Sequence, residues 1–384
     1  MIVKNNFFKN YFTNSKEYNK NLKKTKKFFN NFLFDLKNDQ IPLLKSYEKN
    51  YEFDFSQYTV KKFSKYNNVF IIGMGGSILG TKSIYSFFKD KIKKNIFFFD
   101  NLDFNLISSY KKIKNLKNSC FVIVSKSGNT LETITNLEVI FSKKTMKNKL
   151  IIITELKDNS LMSLAEKHNA EVIEHKEFIG GRYSVLSESS MFPVALMGLN
   201  IKKFKNLQSL IKNKKFISSL IHNVAVIYTL NIKRINNSII LNYNSNLNDL
   251  GFWYQQLVAE SLGKKGKGIN PTLSIAPKDH HSLLQLYLDG PRDKFFTFFS
   301  NHKKNNKIID TIVNAQCKAT KSIFKKRKIP FRQFIFKKND ESELGTVFTF
   351  FVLETILLSN LMKVDPFNQP AVEQVKVETK KFLR

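Results

Sequence analysis

Two polar loops carry the first chemistry in this sequence. "GMGGSILGTKS", Gly73–Ser83, places Gly76 and Ser77 at a turn, and "SKSGNTLET" gathers Ser125, Lys126, Ser127, Thr130 and Thr133 at the start of a helical stretch. The free N–H groups and positive dipole end of a helix favour an anion, and hydroxyls beside them suit a phosphate monoester. The first loop is not a dinucleotide fingerprint, because Ile78 stands where G-x-G-x-x-G needs its third glycine. It is not a nucleoside-triphosphate loop either, because Thr81 displaces Lys82 by one place. Glycines there let a backbone approach a ligand closely, while the hydroxyl loop grips the phosphate. A lone loop rich in Ser and Thr is more often a turn or a helix cap. Two such loops in one crevice favour the phosphate.

The elements around the loops bring them together. The apolar runs "VFII", "NIFFF", "CFVIV" and "LIIIT" alternate with helical patterns near residues 77–89, 103–113, 130–143 and 158–168, and "EVIEH" closes the series. This is the rhythm of a doubly wound parallel sheet, an α/β fold. In the flavodoxin-like strand order the first and third strands are neighbours at the switch point, where ligands bind beyond the strand C-termini. The first strand ends in "GMGGS" and the third in "SKSGNTLET", so both loops should line one crevice. A second series, "SIILNY", "TLSIA", "KFFTFF" and "PFRQFIF", precedes a long apolar helix near 345–360. The chain therefore divides into an N-terminal helical segment (1–60), a first α/β domain (61–200) and a second with a C-terminal helix (201–384). The N-terminal segment alternates Lys and Asn with aromatic residues and has no Gly, which suggests amphipathic helices on the outside of the main body.

Composition narrows the function classes. The 384 residues suffice for two cores. The formal charge of +32 raises a nucleic-acid reading. The lysines, however, are dispersed among Asn, Ile and Phe rather than gathered on one basic segment, so no nucleic-acid partner is expected; the charge serves instead to attract small anions. Cys120 and Cys317 lie far apart with no metal-ligand spacing, which points to a reducing compartment. No signal peptide is apparent, and the run "TVFTFFVLETILL" is short for a bilayer and contains Glu354. A cytoplasmic protein without a membrane partner is expected.

The segments "GMGGSILG", "SKSGNTLETITN", "GGRYSVLSE", "WYQQLVAESLGKKGKG", "DHHSLLQLYLDGPRD" and "DPFNQPAVEQVK" resemble, in order, the signature segments of the glucose-6-phosphate isomerase family. They span about residues 69–381. The resemblance implies two sugar-isomerase (SIS) domains that interconvert glucose 6-phosphate and fructose 6-phosphate without metal or cofactor, in a homodimer whose active sites are shared between subunits. A sugar-phosphate sensor built on the same domains and a dual phosphoglucose/phosphomannose isomerase are the alternatives. A nicotinamide enzyme using Asp100 is disfavoured by Ile78.

Such an isomerase must open a ring and move a proton between C2 and C1 through an enediolate. It needs an acid, a base and a cation. By resemblance Glu260 in "AESLGK" is the base and Arg182 in "GGRYS" stabilises the enediolate. Arg182 is one of six arginines in a chain that otherwise uses lysine, and a planar guanidinium suits that task. His281 matches the ring-opening histidine, a residue type that exchanges protons near neutrality. Its neighbour His280 leaves a second register open. Glu132 matches a carboxylate that orients the histidine, Lys376 a lysine near the ring oxygen and Gln369 an amide that contacts phosphate. The sequence departs from the family at Asn368, Ala371 and Val375, where the usual pattern has Asp and two Gly, so Val375 should narrow the space beside Lys376. Glu188 and Ser189 are a second departure.

Overall fold

The computed structural model describes residues 15–111, 116–141, 149–301 and 306–383. Strands β1 (Asn68–Gly73), β2 (Asn95–Phe99), β3 (Ser119–Val124), β4 (Leu150–Thr154) and β5 (Glu171–Glu174) form one parallel sheet in the order β2-β1-β3-β4-β5. Every residue of β1, β3 and β4 is buried, as strands covered on both faces require. Strands β6 (Asn237–Asn242), β7 (Asn270–Ile275), β8 (Lys294–Asn301) and β9 (Phe331–Phe336) form a second parallel sheet, β7-β6-β8-β9. The sequence rhythm identified all nine strands and the order of the first sheet.

The helices that matter for the site are, in chain order, α1 (Lys16–Lys37), α2 (Gln57–Ser64), α3 (Leu79–Phe88), α4 (Phe104–Lys111), α5 (Leu131–Phe141), α6 (Ser160–His168), α7 (Glu188–Leu196), α8 (Lys214–Ile232), α9 (Asn248–Leu262), α10 (Lys307–Lys326), α11 (Glu341–Met362) and α12 (Pro370–Phe382). Successive strand side chains point to opposite faces, and this sorts the core. Phe70 and Ile72 of β1 join α5 and α6 in an outer cluster, whereas Val69 and Ile71 face a central one. That central core runs on through Trp253 and Leu257 of α9 and Phe348 and Phe351 of α11 to Ile240, Phe299 and Phe334 of the second sheet. A shared core thus ties the sheets together, and α9 lies inside it.

Helix α11 is long and apolar enough to cross a membrane, yet 89% of its most apolar window is buried inside the fold. Glu354 explains how a charge is tolerated there. Its carboxylate accepts both terminal nitrogens of Arg332, which also donates to Thr297 and Asn223, so neither buried charge lacks a partner.

The N-terminal segment departs from the expected external helices. Helix α1 does pack on α8, where the Tyr18 hydroxyl bonds His222 Nδ1 at 2.6 Å and Asn21 donates to Thr229 at 3.0 Å. Residues 42–55 instead form an arm threaded into the body, with Leu44 and Tyr47 fully buried. Tyr47 donates to the Tyr183 carbonyl at 2.9 Å. Lys205, also fully buried, donates to the carbonyls of Ser46 and Leu186 and sits 4.3 and 4.1 Å from the Tyr51 and Phe53 ring centres. Burial pulls its ammonium down to about 7, against the charge of Glu188. Residues 1–14 of this segment, and the ends of the helical patterns expected at 103–113 and 130–143, lie outside the described residues.

Candidate active site

Pairing of Gly73 with Val124 sets the two sequence loops side by side beyond the C-termini of β1 and β3. The turn at Gly75–Ser77 is closed by a third segment, Gly181–Leu186. A Cβ on Gly76 would lie 2.2 Å from the Gly181 carbonyl carbon, 2.3 Å from its oxygen and 2.6 Å from Arg182 N. Gly75 has φ +53° and a Cβ there would meet Gln256 at 2.7 Å. These glycines therefore let one stretch of protein backbone approach another, a constraint separate from any approach of a ligand to the loop. Ser77, nearly buried, stands between them and α3.

The close approach holds Arg182 in place. Its side chain is 1% exposed, and all five donors are engaged. Nε donates to Ser261 Oγ at 2.8 Å; Nη1 to Glu260 Oε2 at 3.3 Å and to Gln369 Oε1; Nη2 to the Pro366 carbonyl and to that of Asn368 at 3.0 Å. Glu260, in the last turn of α9, is 30% exposed and accepts from Gln256 Nε2 at 2.9 Å. A carboxylate and a guanidinium 78 residues apart in sequence thus meet at the end of the shared core. Gln256 was missed in the sequence, although its place one helical turn before Glu260 was a usable signal.

The hydroxyl loop is partly assembled. Ser125 and Thr130 share a hydrogen bond at 2.8 Å, Ser127 Oγ accepts from Asn129 N at 3.3 Å, and the buried Thr133 Oγ1 has no partner among the described residues. Gly128, at φ +67°, allows the turn, and a Cβ there would overlap Asn159. Lys126 stands apart from the hydroxyls in its bonding: its ammonium donates to the Glu177 carbonyl at 2.6 Å and pairs with Glu155 at 3.6 Å. Glu132 is half-buried in the first turn of α5.

Packing treats the two histidines differently. His280 Nε2 meets the Tyr243 hydroxyl at 2.8 Å, and that hydroxyl donates to Thr320 at 3.0 Å. Burial, then the neighbouring His281, pulls the His280 imidazole below its ordinary range. His281 is exposed and makes no side-chain hydrogen bond among the described residues. Asp279 fixes the turn beneath both by accepting from Ile275 N at 2.6 Å and Ser274 Oγ at 2.9 Å.

The C-terminal residues divide. Gln369 reaches Arg182, whereas Lys376 lies exposed on α12 and pairs with Glu373 at 2.7 Å. No residue of α12 is buried, so Val375, at 68% exposure, does not narrow the space beside Lys376 within this chain. Asn368 donates to Asp365 and offers its carbonyl to Arg182. Glu188 holds the N-terminal arm: the Tyr51 hydroxyl lies 2.8 and 3.0 Å from its oxygens and Asp54 N donates at 3.3 Å. Burial pushes the Glu188 carboxyl upward. Ser189 donates within the Arg182 turn, to the Ser184 carbonyl at 3.0 Å. A cavity of about 500 Å³ elsewhere, lined by Lys49, Lys202, Lys203 and Asn206, contains none of these site residues.

Comparison with known proteins places the chain. The sequence profile described as phosphoglucose isomerase matches residues 43–277. A glucose-6-phosphate isomerase of Methanocaldococcus jannaschii is 34% identical over 345 residues, covering 82% of this chain and 84% of that protein. A probable glucose-6-phosphate isomerase of Methanococcus maripaludis is 30% identical, covering 88% and 85%. The crystal structure of a glucose-6-phosphate isomerase from Chlamydia trachomatis shares the fold, with a TM-score of 0.74 at 18% identity over 85% of this chain and 71% of that one.

Proposed function

The chain belongs to the phosphoglucose isomerase family, and on that premise we propose that it interconverts glucose 6-phosphate and fructose 6-phosphate at the Arg182–Glu260 site. The observation that carries this reading is that contact, 3.3 Å between Nη1 and Oε2 at the mouth of a shared core. Glu260 takes the C2 proton of the opened sugar and returns it to C1, so one carboxylate serves both carbons. Arg182 faces the negative charge that builds on the enediolate oxygens. Gln256 keeps the carboxylate aimed. Ser125, Ser127, Thr130 and Thr133, together with Gly76, Ser77 and Gln369, receive the phosphate, and the Thr133 hydroxyl, without a partner among the described residues, supports that role. Lys126 contributes its charge from the flank.

Ring opening falls to His281, with Glu132 orienting it and Lys376 beside the ring oxygen. Exposure of His281 supports its delivery into the site of a second copy, and His280 serves as its buried anchor. Helix α12 exposes Val372, Val375 and Phe382, and α10 exposes Ile308, Ile309 and Ile312, surfaces a twofold partner would cover. We read the assembly as a homodimer and the chain as an N-terminal segment (1–60) with two domains (61–200 and 201–384). Buried free thiols at Cys120 and Cys317 support a cytoplasmic setting.

A coupled dehydrogenase assay offering glucose, mannose and glucosamine 6-phosphates tests the reaction. Turnover of glucose 6-phosphate alone is expected. Equal turnover of mannose 6-phosphate identifies the dual enzyme, and binding without turnover identifies a sensor. Mixing Glu260→Gln with His281→Ala chains tests the shared site. Random exchange makes half the dimers mixed, each with one intact site, so about a quarter of all sites should work. Mixed dimers with no activity would place both residues within one chain.

A further inference from the structure

Tyr183 follows Arg182 in sequence, is fully buried, and has no part in the reaction as described. Its hydroxyl meets Ser261 Oγ at 2.8 Å and the Pro366 carbonyl at 3.0 Å. Arg182 uses the same two partners, through Nε and Nη2. The four groups therefore form a closed ring. A carbonyl only accepts, so Tyr183 donates to Pro366; Ser261, which already accepts from Arg182, then donates to the Tyr183 oxygen. Every proton in the ring has one place. Burial raises the Tyr183 phenol above its ordinary range, which keeps its proton on the oxygen.

This ring divides the donors of Arg182 in two. Nε and one N–H of Nη2 are held by Ser261 and the Pro366 carbonyl, both buried and fully directed, while the second N–H of Nη2 goes to the carbonyl of the exposed Asn368. Nη1 is held by Glu260 and Gln369, which are half-buried and exposed. Both N–H groups of Nη1 can be released toward a substrate oxygen without leaving a buried acceptor unpaired, whereas Nε and the N–H of Nη2 that meets Pro366 cannot.

We propose that Tyr183 and Ser261 are positioning residues for the isomerase reaction, locking one edge of the Arg182 guanidinium so that Nη1 is left to turn to the enediolate, and tethering the Pro366–Gln369 segment to the same point. The inference rests on the role assigned to Arg182 in the proposed reaction. Because the enediolate forms after substrate binds, loosening the lock should affect turnover more than substrate affinity.

The test is steady-state kinetics of Tyr183→Phe and Ser261→Ala on fructose 6-phosphate, with binding of a phosphorylated aldonic acid that mimics the enediolate. Tyr254→Phe serves as a control for loss of a buried tyrosine hydroxyl, since its partner Ser238 lies in the second sheet. We expect kcat to fall about 10- to 100-fold in each ring variant with KM within about threefold, and the mimic to weaken in parallel with kcat. Tyr254→Phe should lose thermal stability while keeping kcat. The double variant should lose less than the product of the two single losses, because both break one ring. Wild-type kcat in Tyr183→Phe, losses that fall equally on kcat and the Tyr254→Phe control, or fully multiplicative losses would overturn the inference. Should Tyr183→Phe fail to fold, Ser261→Ala reads the same ring. A wild-type protein that turns over no hexose 6-phosphate would instead refute the proposed reaction, and the inference with it.

Discussion

The contact between Gly76 and Gly181 yields an asymmetric prediction. A methyl group on Gly76 would sit 2.2 Å from the Gly181 carbonyl carbon, whereas ordinary contact begins at 3.4 Å. The obstacle is backbone, so no side chain can swing aside. The two turns must part by about 1.2 Å, the difference between those distances. Arg182 rides on the displaced turn. Its 2.8 Å bond to Ser261 and 3.3 Å bond to Glu260 would both stretch past hydrogen-bonding range. Overpacking of this kind costs about 1–3 kcal/mol of stability, and a displacement of about 1 Å in a catalytic cation costs about 100-fold in turnover. Gly181→Ala is the contrasting change. Its Cβ would meet only Gly76 Cα, at 3.9 Å, and its φ lies outside the left-handed region. Stability should hold or rise by about 0.4–1 kcal/mol, because alanine restricts the unfolded chain. Thermal denaturation of both variants, with kcat of Gly76→Ala from a coupled assay, makes the comparison. Equal losses of stability in the two variants, or wild-type turnover in Gly76→Ala, would mean that the Gly76–Gly181 contact does not hold Arg182 in place.

Other consequences are open to direct measurement. The Lys205 ammonium is held down to about 7 by burial, while the unfolded lysine titrates near 10.5. The unfolded state therefore binds more protons across about pH 7 to 10.5, and stability should rise with pH in that window by up to about 1.4 kcal/mol per unit. Urea denaturation of Lys205→Met at pH 7 and 9 should show that rise flattened, and an unchanged slope would remove Lys205 as its source. Thr130→Val breaks the 2.8 Å bond to Ser125 and should weaken binding of inorganic phosphate by about 1–3 kcal/mol, read by calorimetry. An unaltered affinity would move the phosphate elsewhere. His281→Ala should lose turnover at little cost in stability, whereas His280→Ala should lose stability first, because Tyr243 and Thr320 depend on it. The reverse pattern would exchange their roles.

Much of the fold was legible because it rests on local periodicity. All nine strands are short apolar runs bounded by helical patterns, and the switch point between β1 and β3 follows from strand order alone. What escaped depends on contacts between distant segments. Spacing shows that Gly76 needs no side chain, but not that the reason is the Gly181 carbonyl 105 residues away in sequence. The arm at residues 42–55 reads as polar and aromatic, and only its partners Tyr183, Glu188 and Lys205 make it an inner element. In the site, Glu260, Arg182 and Gln369 were identified by resemblance, and the structure brings them into contact. Tyr183 and Ser261 were not identified, because a hydroxyl's partner across 78 residues leaves no local pattern. Lys376 shows the opposite limit. Its motif marks it, yet in a single chain it pairs with Glu373 on an uncovered helix.

The proposed reaction requires Glu260 to carry a proton between adjacent carbons of a hexose 6-phosphate. Incubating the protein with glucose 6-phosphate in D2O and following C1 and C2 by NMR tests it directly. Wild-type protein should form fructose 6-phosphate with deuterium entering at C1, while Glu260→Gln should bind the phosphorylated aldonic acid and slow both isomerisation and exchange by several orders of magnitude. Isomerisation and exchange at the wild-type rate in Glu260→Gln would show that another group moves the proton.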